Sequence, residues 1–167
     1  MTTGMDPLAD LPSADDFDAL LAREELRRGR TGELLAVAMI DVDGLRRVNR
    51  EHGASAGSEV LTLCVATLQA TLRAVDEVAR VGPDEFAVLL HGTDARSAAF
   101  WADRFEDELA AVSFEQVAGP VTCSIGIAGT ADDLTLMQAA AKAHRRMEVV
   151  QIMRKLRRTP EGDTGPS

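Results

Sequence analysis

The chain alternates between helical stripes and short apolar runs. Phe17, Leu20 and Leu21 recur at helical spacing between Phe17 and Arg28, with Glu24 and Glu25 expected to face outward. Ser13, following Leu11-Pro12, suits the N-cap of that helix, and Gly29 to Gly32 breaks it. Leu34 to Asp41 is a continuous apolar run closed by an acid, the pattern of a strand covered on both faces. The longest helical pattern runs from Gly57 to Val75, with Val60, Leu61, Cys64, Leu68 and Leu72 on one side. Glu77 to Val81 and Phe86 to Leu90 flank Gly82-Pro83-Asp84-Glu85 as the two arms of a hairpin. Asp94 is placed to cap a helix that reaches Val112 and carries Phe100, Trp101 and Phe105. Val121 to Ala128 reads as a further strand, and a last helix starts at Asp133 or Thr135. This order of elements predicts an α+β domain in which helices pack over one mixed central sheet.

A length of 167 residues fits one domain, expected over residues 5–158, with polar Gly/Pro-rich ends at 1–4 and 159–167 expected to be flexible. Cys64 and Cys123 lie far apart in apolar surroundings, as buried reduced thiols do. The N-terminus is acidic and lacks the basic-then-apolar start of a signal peptide. No apolar run approaches a membrane span, so a cytoplasmic protein is expected. A net charge of −9 argues against nucleic acid as a partner of the whole chain. That average conceals Lys142 to Arg158, where Lys142, Arg145, Arg146, Arg154, Lys155, Arg157 and Arg158 face Glu148 alone. The segment reads either as a solvated helix whose cations suit its C-terminal dipole or as an anion-binding or protein-docking surface.

Candidate chemistry gathers at two strand ends. Asp41-Val42-Asp43 closes one apolar strand and Asp84-Glu85 opens another. Carboxylates so placed hold magnesium, which prefers oxygen ligands and keeps several waters. One acid of each pair is expected to line a given site. A set of Asp41, the Val42 carbonyl and Asp84 leaves room for substrate phosphates. A structural reading stands beside this one, because Gly-Pro-Asp-Glu is a good turn in its own right. His52, His91 and His144 show no metal-ligand spacing, and the chain has neither a nucleophile elbow nor a P-loop.

Five segments in order resemble the GGDEF domains of bacterial diguanylate cyclases. Asp6-Pro7-Leu8-Ala9-Asp10-Leu11-Pro12 is similar to the family's Asp-x-Leu-Thr-Gly-Leu-Pro opening. Ile40-Asp41-Val42-Asp43-Gly44-Leu45-Arg46-Arg47-Val48-Asn49 resembles its Asp-x-Asp-x-Phe-Lys-x-x-Asn segment. Gly53 and Gly57-Ser58-Glu59-Val60-Leu61 follow its Gly-His-x-x-Gly-Asp-x-x-Leu pattern. Gly82-Pro83-Asp84-Glu85-Phe86 stands where the signature belongs, and Val121 to Ala128 resembles a Val-Thr-x-Ser-x-Gly-x-Ala strand. The resemblance implies a nucleotidyl-cyclase-like, ferredoxin-like palm with a β-hairpin carrying the signature turn.

It also implies chemistry: two GTP molecules joined into cyclic di-GMP across a homodimer, with divalent metals assisting attack on the α-phosphate. Carried over, the metal ligands fall on Asp41, the Val42 carbonyl and Asp84, with Glu85 beside them in the signature. The guanine-reading pair falls on Asn49 and Ser58, where the family has Asn and Asp, and a phosphate-binding Lys falls on Arg46. A second phosphate-binding Lys falls on Glu148. Pro83 replaces a glycine, adding a ring and removing an N–H donor. Arg73-Ala74-Val75-Asp76 stands at the spacing of the family's inhibitory site for cyclic di-GMP, and also at that of an i,i+3 ion pair. The departures at Pro83, Ser58 and Glu148 lead to the expectation of a catalytically impaired domain that binds cyclic di-GMP through Arg73 and Asp76. Two alternatives stay open: a weakly active cyclase, and a protein-interaction scaffold using the basic C-terminal helix.

Overall fold

The computed structural model describes residues 6–158; the expectations placed on 1–4 and 159–167 lie outside the described residues. Five helices and four strands follow the order α1 (Ala14–Thr31), β1 (Leu35–Val42), α2 (Leu45–His52), α3 (Ala54–Thr71), β2 (Glu77–Arg80), β3 (Glu85–His91), α4 (Ala95–Ala111), β4 (Cys123–Gly129) and α5 (Leu136–Arg158). The strands lie in the order β2-β3-β1-β4. Every hydrogen-bonded pair is antiparallel, so the sheet is not mixed as its helix-strand alternation suggested. The crossovers explain this. Each one, β1 to β2 and β3 to β4, brings the chain back parallel to the strand it left, but one position over. The intervening strand then makes every adjacent pair antiparallel.

Alternation along β1 divides the core in two. Ala36, Ala38, Ile40 and Val42 face α2, α3 and α4, where Phe105, Leu68 and Cys64 are fully enclosed. Leu35, Val37 and Met39 face α1 and α5, where Leu21, Leu136 and Met147 pack. Both cysteines are free and buried, and the Cys64 thiol together with burial pushes the Cys123 thiol up, so it stays protonated.

Ser13 caps α1 through a reciprocal box with Asp16, and Asp94 caps α4 by accepting from the Ser97 amide at 2.7 Å. Glu24 is buried, contrary to its outward assignment from sequence. Burial alone would raise its carboxyl, but bonds from Arg27 and Arg23 hold it below the usual range. Helix α2 escapes the apolar pattern because it spans two turns and buries only Leu45 and Val48. Its start is fixed by Gly44 at φ +75°, a left-handed turn that reverses the chain just after β1.

Helix α5 lies against β4 backbone to backbone. A Cβ on Gly126 would stand 2.0 Å from the Ala143 carbonyl and 2.2 Å from the Met147 amide. Gly126→Ala is therefore expected to lower stability by on the order of 1–3 kcal/mol, the cost of overpacking, read as a lower urea midpoint with unchanged slope.

Candidate functional site

The end of β1 meets the turn that precedes β3, and a cavity of about 350 Å³ opens there. Asp41, Val42, Arg46, Asp84, Glu85 and Lys155 are among its lining residues. Register accounts for the meeting: Asp41 pairs with Glu85 across β1 and β3, and the Val42 amide donates to the Asp84 carbonyl at 3.0 Å. Asp41 is buried. Burial first, and then the charges of Asp84, Glu85 and Asp43, push its carboxyl up to about 7.

Asp41 and Asp43 do part company, but strand alternation is not the cause, since residues two apart share a face. Strand β1 ends at Val42, and Asp43 turns toward β4. There it accepts from Thr122 Oγ1 at 2.8 Å, Ser124 Oγ at 2.7 Å and Arg154 Nη1 at 2.8 Å. Asp43 is a structural anchor. Asp84 and Glu85 do not part: Asp84 stands in the turn ahead of β3, and both acids line the cavity.

Among the described residues, no three His, Cys, Asp or Glu side chains form a group able to hold a metal alone. The donor set is instead an open cluster of acids around a buried carboxyl. Such a set fits a divalent cation whose shell is completed by water and phosphate oxygens, because the ion would relieve the repulsion that raises Asp41.

The turn itself offers few backbone donors. The Val81 and Gly82 amides both reach the Glu85 carbonyl, at 3.0 and 3.3 Å, and Pro83 has no N–H. Pro83 is exposed, and its carbonyl accepts from Arg80 Nη2 at 2.7 Å. The proline therefore fits the hairpin without disturbing it.

Asn49 and Arg46 point outward from α2, whose buried side carries Leu45 and Val48. The Asn49 amide rests on α3 at Gly57, where a Cβ would come within 1.7 Å of its Oδ1. This brings Asn49 beside exposed Ser58, the next residue of α3. Glu148 does not line the cavity; its carboxylate lies 3.8 Å from His144 Nδ1. The α5 side chains at the cavity are Gln151 and Lys155, which sequence reasoning missed. Their signal was the helical continuation of Glu148 at i+3 and i+7.

At the other end of the sheet, Arg73 and Asp76 close the turn into β2. Asp76 is 2% exposed at its side chain and Arg73 57%. The Asp76 carboxylate accepts from the Arg73 amide at 2.9 Å, from Arg73 Nε at 3.2 Å and Nη2 at 3.1 Å, and from the His91 amide at 3.1 Å. Asp76 thus orients Arg73, whose Nη2 also donates to Thr93 Oγ1 at 3.0 Å. A cavity of about 410 Å³ lies alongside, lined by Arg73, Phe100, Trp101 and Arg104 among others. Phe100 is exposed, and Arg104 is held by the Thr71 carbonyl at 2.6 Å.

Comparison with known proteins agrees with the fold. The profile of the family described as "Diguanylate cyclase, GGDEF domain" matches residues 3–154. The diguanylate cyclase DgcP of Pseudomonas aeruginosa is 36% identical over 124 residues, 73% of this chain and 18% of that protein. The crystal structure of the GGDEF domain of YfiN (TpbB) from Pseudomonas aeruginosa superposes with a TM-score of 0.80 at 29% identity, covering 87% of this chain and 93% of that one. A sensory box/GGDEF family protein from Caulobacter crescentus gives 0.75 at 31% identity, covering 86% and 94%. The chain spans between 18 and 33% of the length of the first curated relatives it matches.

The raised Asp41 carboxyl fixes a sign for stability. Its folded value, about 7, exceeds the ordinary 3.8, so the folded state binds the extra proton and stability falls as pH rises from about 4 to 7. Asp41→Asn is expected to stabilise the metal-free protein at pH 7.5 by on the order of 1–2 kcal/mol, with the gain vanishing near pH 4. Urea unfolding at the two pH values checks it.

Proposed function

The chain belongs to the GGDEF family of diguanylate cyclase domains, and from that premise we propose that it is a catalytically impaired member that serves cyclic di-GMP signalling by binding the dinucleotide at the Arg73 face. The observation that carries the reading is the state of Arg73. Its guanidinium is held on two nitrogens by a buried carboxylate while most of its side chain stays open to solvent. With Nε and Nη2 engaged by Asp76, Thr93 and the His91 carbonyl, the Nη1 edge is fixed in advance and loses little freedom on meeting a phosphate or the Hoogsteen edge of guanine. Phe100 offers a ring face to a base, and Arg104 adds a second cation at the same cavity.

Impairment of turnover rests on the signature turn. Family members bring bare backbone to the nucleotide at the position of Pro83. Here the Val81 and Gly82 amides are already bonded to the Glu85 carbonyl and Pro83 has none, so a phosphate meets fewer N–H groups than a glycine at that position would give it. Ser58 offers guanine one hydroxyl in place of a carboxylate, which weakens reading of the N1 and N2 donors.

Residual cyclase activity is the second reading, and one observation favours it: the acids Asp41, Asp84 and Glu85 share a cavity with Arg46 and Lys155. Bound there, magnesium would neutralise a triphosphate, with Arg46 and Lys155 orienting its oxygens and the Val42 carbonyl completing the ligand set.

Calorimetry with cyclic di-GMP, beside a turnover assay with magnesium and GTP, separates the two. The expected result is saturable dinucleotide binding that weakens at least about tenfold in Arg73→Ala, with no product from GTP. Pro83→Gly is expected to raise GTP affinity. Product formation by the unaltered chain that disappears in Asp84→Ala would establish the second reading and sink the first.

A further inference from the structure

Helix α5 carries apolar residues on two faces, and only one is covered. Ala139, Ala143 and Met147 are buried against the sheet. Val149, Ile152, Met153 and Leu156 are 58, 57, 50 and 69% exposed, at the i, i+3, i+4, i+7 spacing of a continuous stripe. Such spacing on a solvent face is the seam by which one helix receives another. The stripe runs into a groove of about 530 Å³ between α5 and β4, lined by Ile125, Ile127, Val149 and Val150 with Arg145 and Arg146 at its rim. Strand β4 is an edge of the sheet, and Arg146 Nη1 covers its Ile127 carbonyl at 2.5 Å. Arg146 thus takes one edge acceptor that an added strand would need, while the groove stays open to side chains.

Charge selects the occupant. Arg145 and Arg146 flank the N-terminal end of the stripe and Arg157 its C-terminal end, all exposed, in a chain of net charge −9, while Arg158 turns away to Thr122 Oγ1 at 3.3 Å. A second copy laid antiparallel on this face would bring Arg145 and Arg146 against Arg157; laid parallel, it would oppose each cation to itself. Like charges so placed disfavour pairing. An anionic membrane would attract the stripe but repel the rest of the chain. We propose that this face of α5, with the groove beside β4, is a docking site for an acidic amphipathic helix of a partner protein. Its apolar seam covers Val149, Ile152 and Leu156, and its carboxylates meet Arg145, Arg146 and Arg157.

The probe is a synthetic helix of about three heptads with Leu at a and d and Glu at e and g, and its counterpart with Lys at e and g is the control. Fluorescence anisotropy with the whole chain is expected to show saturable binding of the acidic helix, weakening as salt rises, and none of the basic one. The double variant Ile152→Glu with Leu156→Glu should weaken binding at least about tenfold while leaving the melting temperature unchanged, because both residues are exposed. Arg145→Glu with Arg146→Glu should lower affinity for the acidic helix and raise it for the basic one, a switch that misfolding cannot mimic. Equal binding of the two helices, or binding of neither, overturns the proposal. So does a concentration-dependent dimer abolished by the double variant, which would make the occupant a second copy. Binding to phosphatidylserine vesicles in place of the acidic helix overturns it as well.

Discussion

The contact between Gly126 and the backbone of α5 governs much else in this molecule. With no side chain on that position of β4, the helix comes within reach of a strand that would otherwise hold it away. The close approach fixes the rotation of α5 about its own axis, and that rotation distributes the helix among three surroundings. Ala143 and Met147 turn into the core. Gln151 and Lys155 turn to the acids at the end of β1. Val149, Ile152, Met153 and Leu156 turn to solvent. A helix with three tasks cannot be simply amphipathic, and its mixture of alanine, arginine and branched residues follows from that constraint.

The sequence exposes this arrangement unevenly. The apolar run Leu34 to Asp41 predicted β1 because a strand covered on both faces has no polar alternation to blur it. Caps at Ser13 and Asp94 were legible because their chemistry is local, an oxygen accepting an amide two or three residues on. Helix α2 was not legible, because two buried residues do not establish a period. Sheet type was also hidden: antiparallel pairing arises from the place each crossover returns to, which depends on contacts remote in sequence. Of the candidate site, Asp41 and Asp84 could be read from strand ends and family resemblance. Lys155 was missed although it continues the helix face of Glu148, because its place at the cavity depends on the rotation of α5. Glu148, which occupies the aligned position, stops at His144 and does not line the cavity.

The signature turn separates two properties that the family resemblance joins. For folding, Gly82-Pro83-Asp84-Glu85 needs only to reverse the chain between β2 and β3. A proline there is harmless: Pro83 is exposed, and its carbonyl gains a bond from Arg80. For chemistry on a triphosphate, the same turn has to present backbone amides, and a proline supplies none. Fold and the strand-end acids can therefore persist while one backbone donor of the turn is absent. That is why a close match in fold and an intact acid cluster do not by themselves establish turnover.

Asp76 and Asp43 make the complementary point about carboxylates. Both lie in segments whose spacing suggests ligand chemistry, and both are occupied by the protein's own donors. Asp43 accepts from Thr122, Ser124 and Arg154, and Asp76 from two amides and the Arg73 guanidinium. A carboxylate so surrounded is already satisfied, and its value lies in what it holds still. Asp43 ties β1, β4 and α5 together beside the acid-lined cavity, while Asp76 fixes the direction of an exposed arginine. Asp41 is the opposite case. Burial and neighbouring negative charge both act against its ionisation, so it keeps its proton up to about pH 7, and a cation beside it would favour the ionised form. The contrast between satisfied and frustrated acids, more than their spacing, separates the carboxylates that anchor the fold from the one whose surroundings suit a cation.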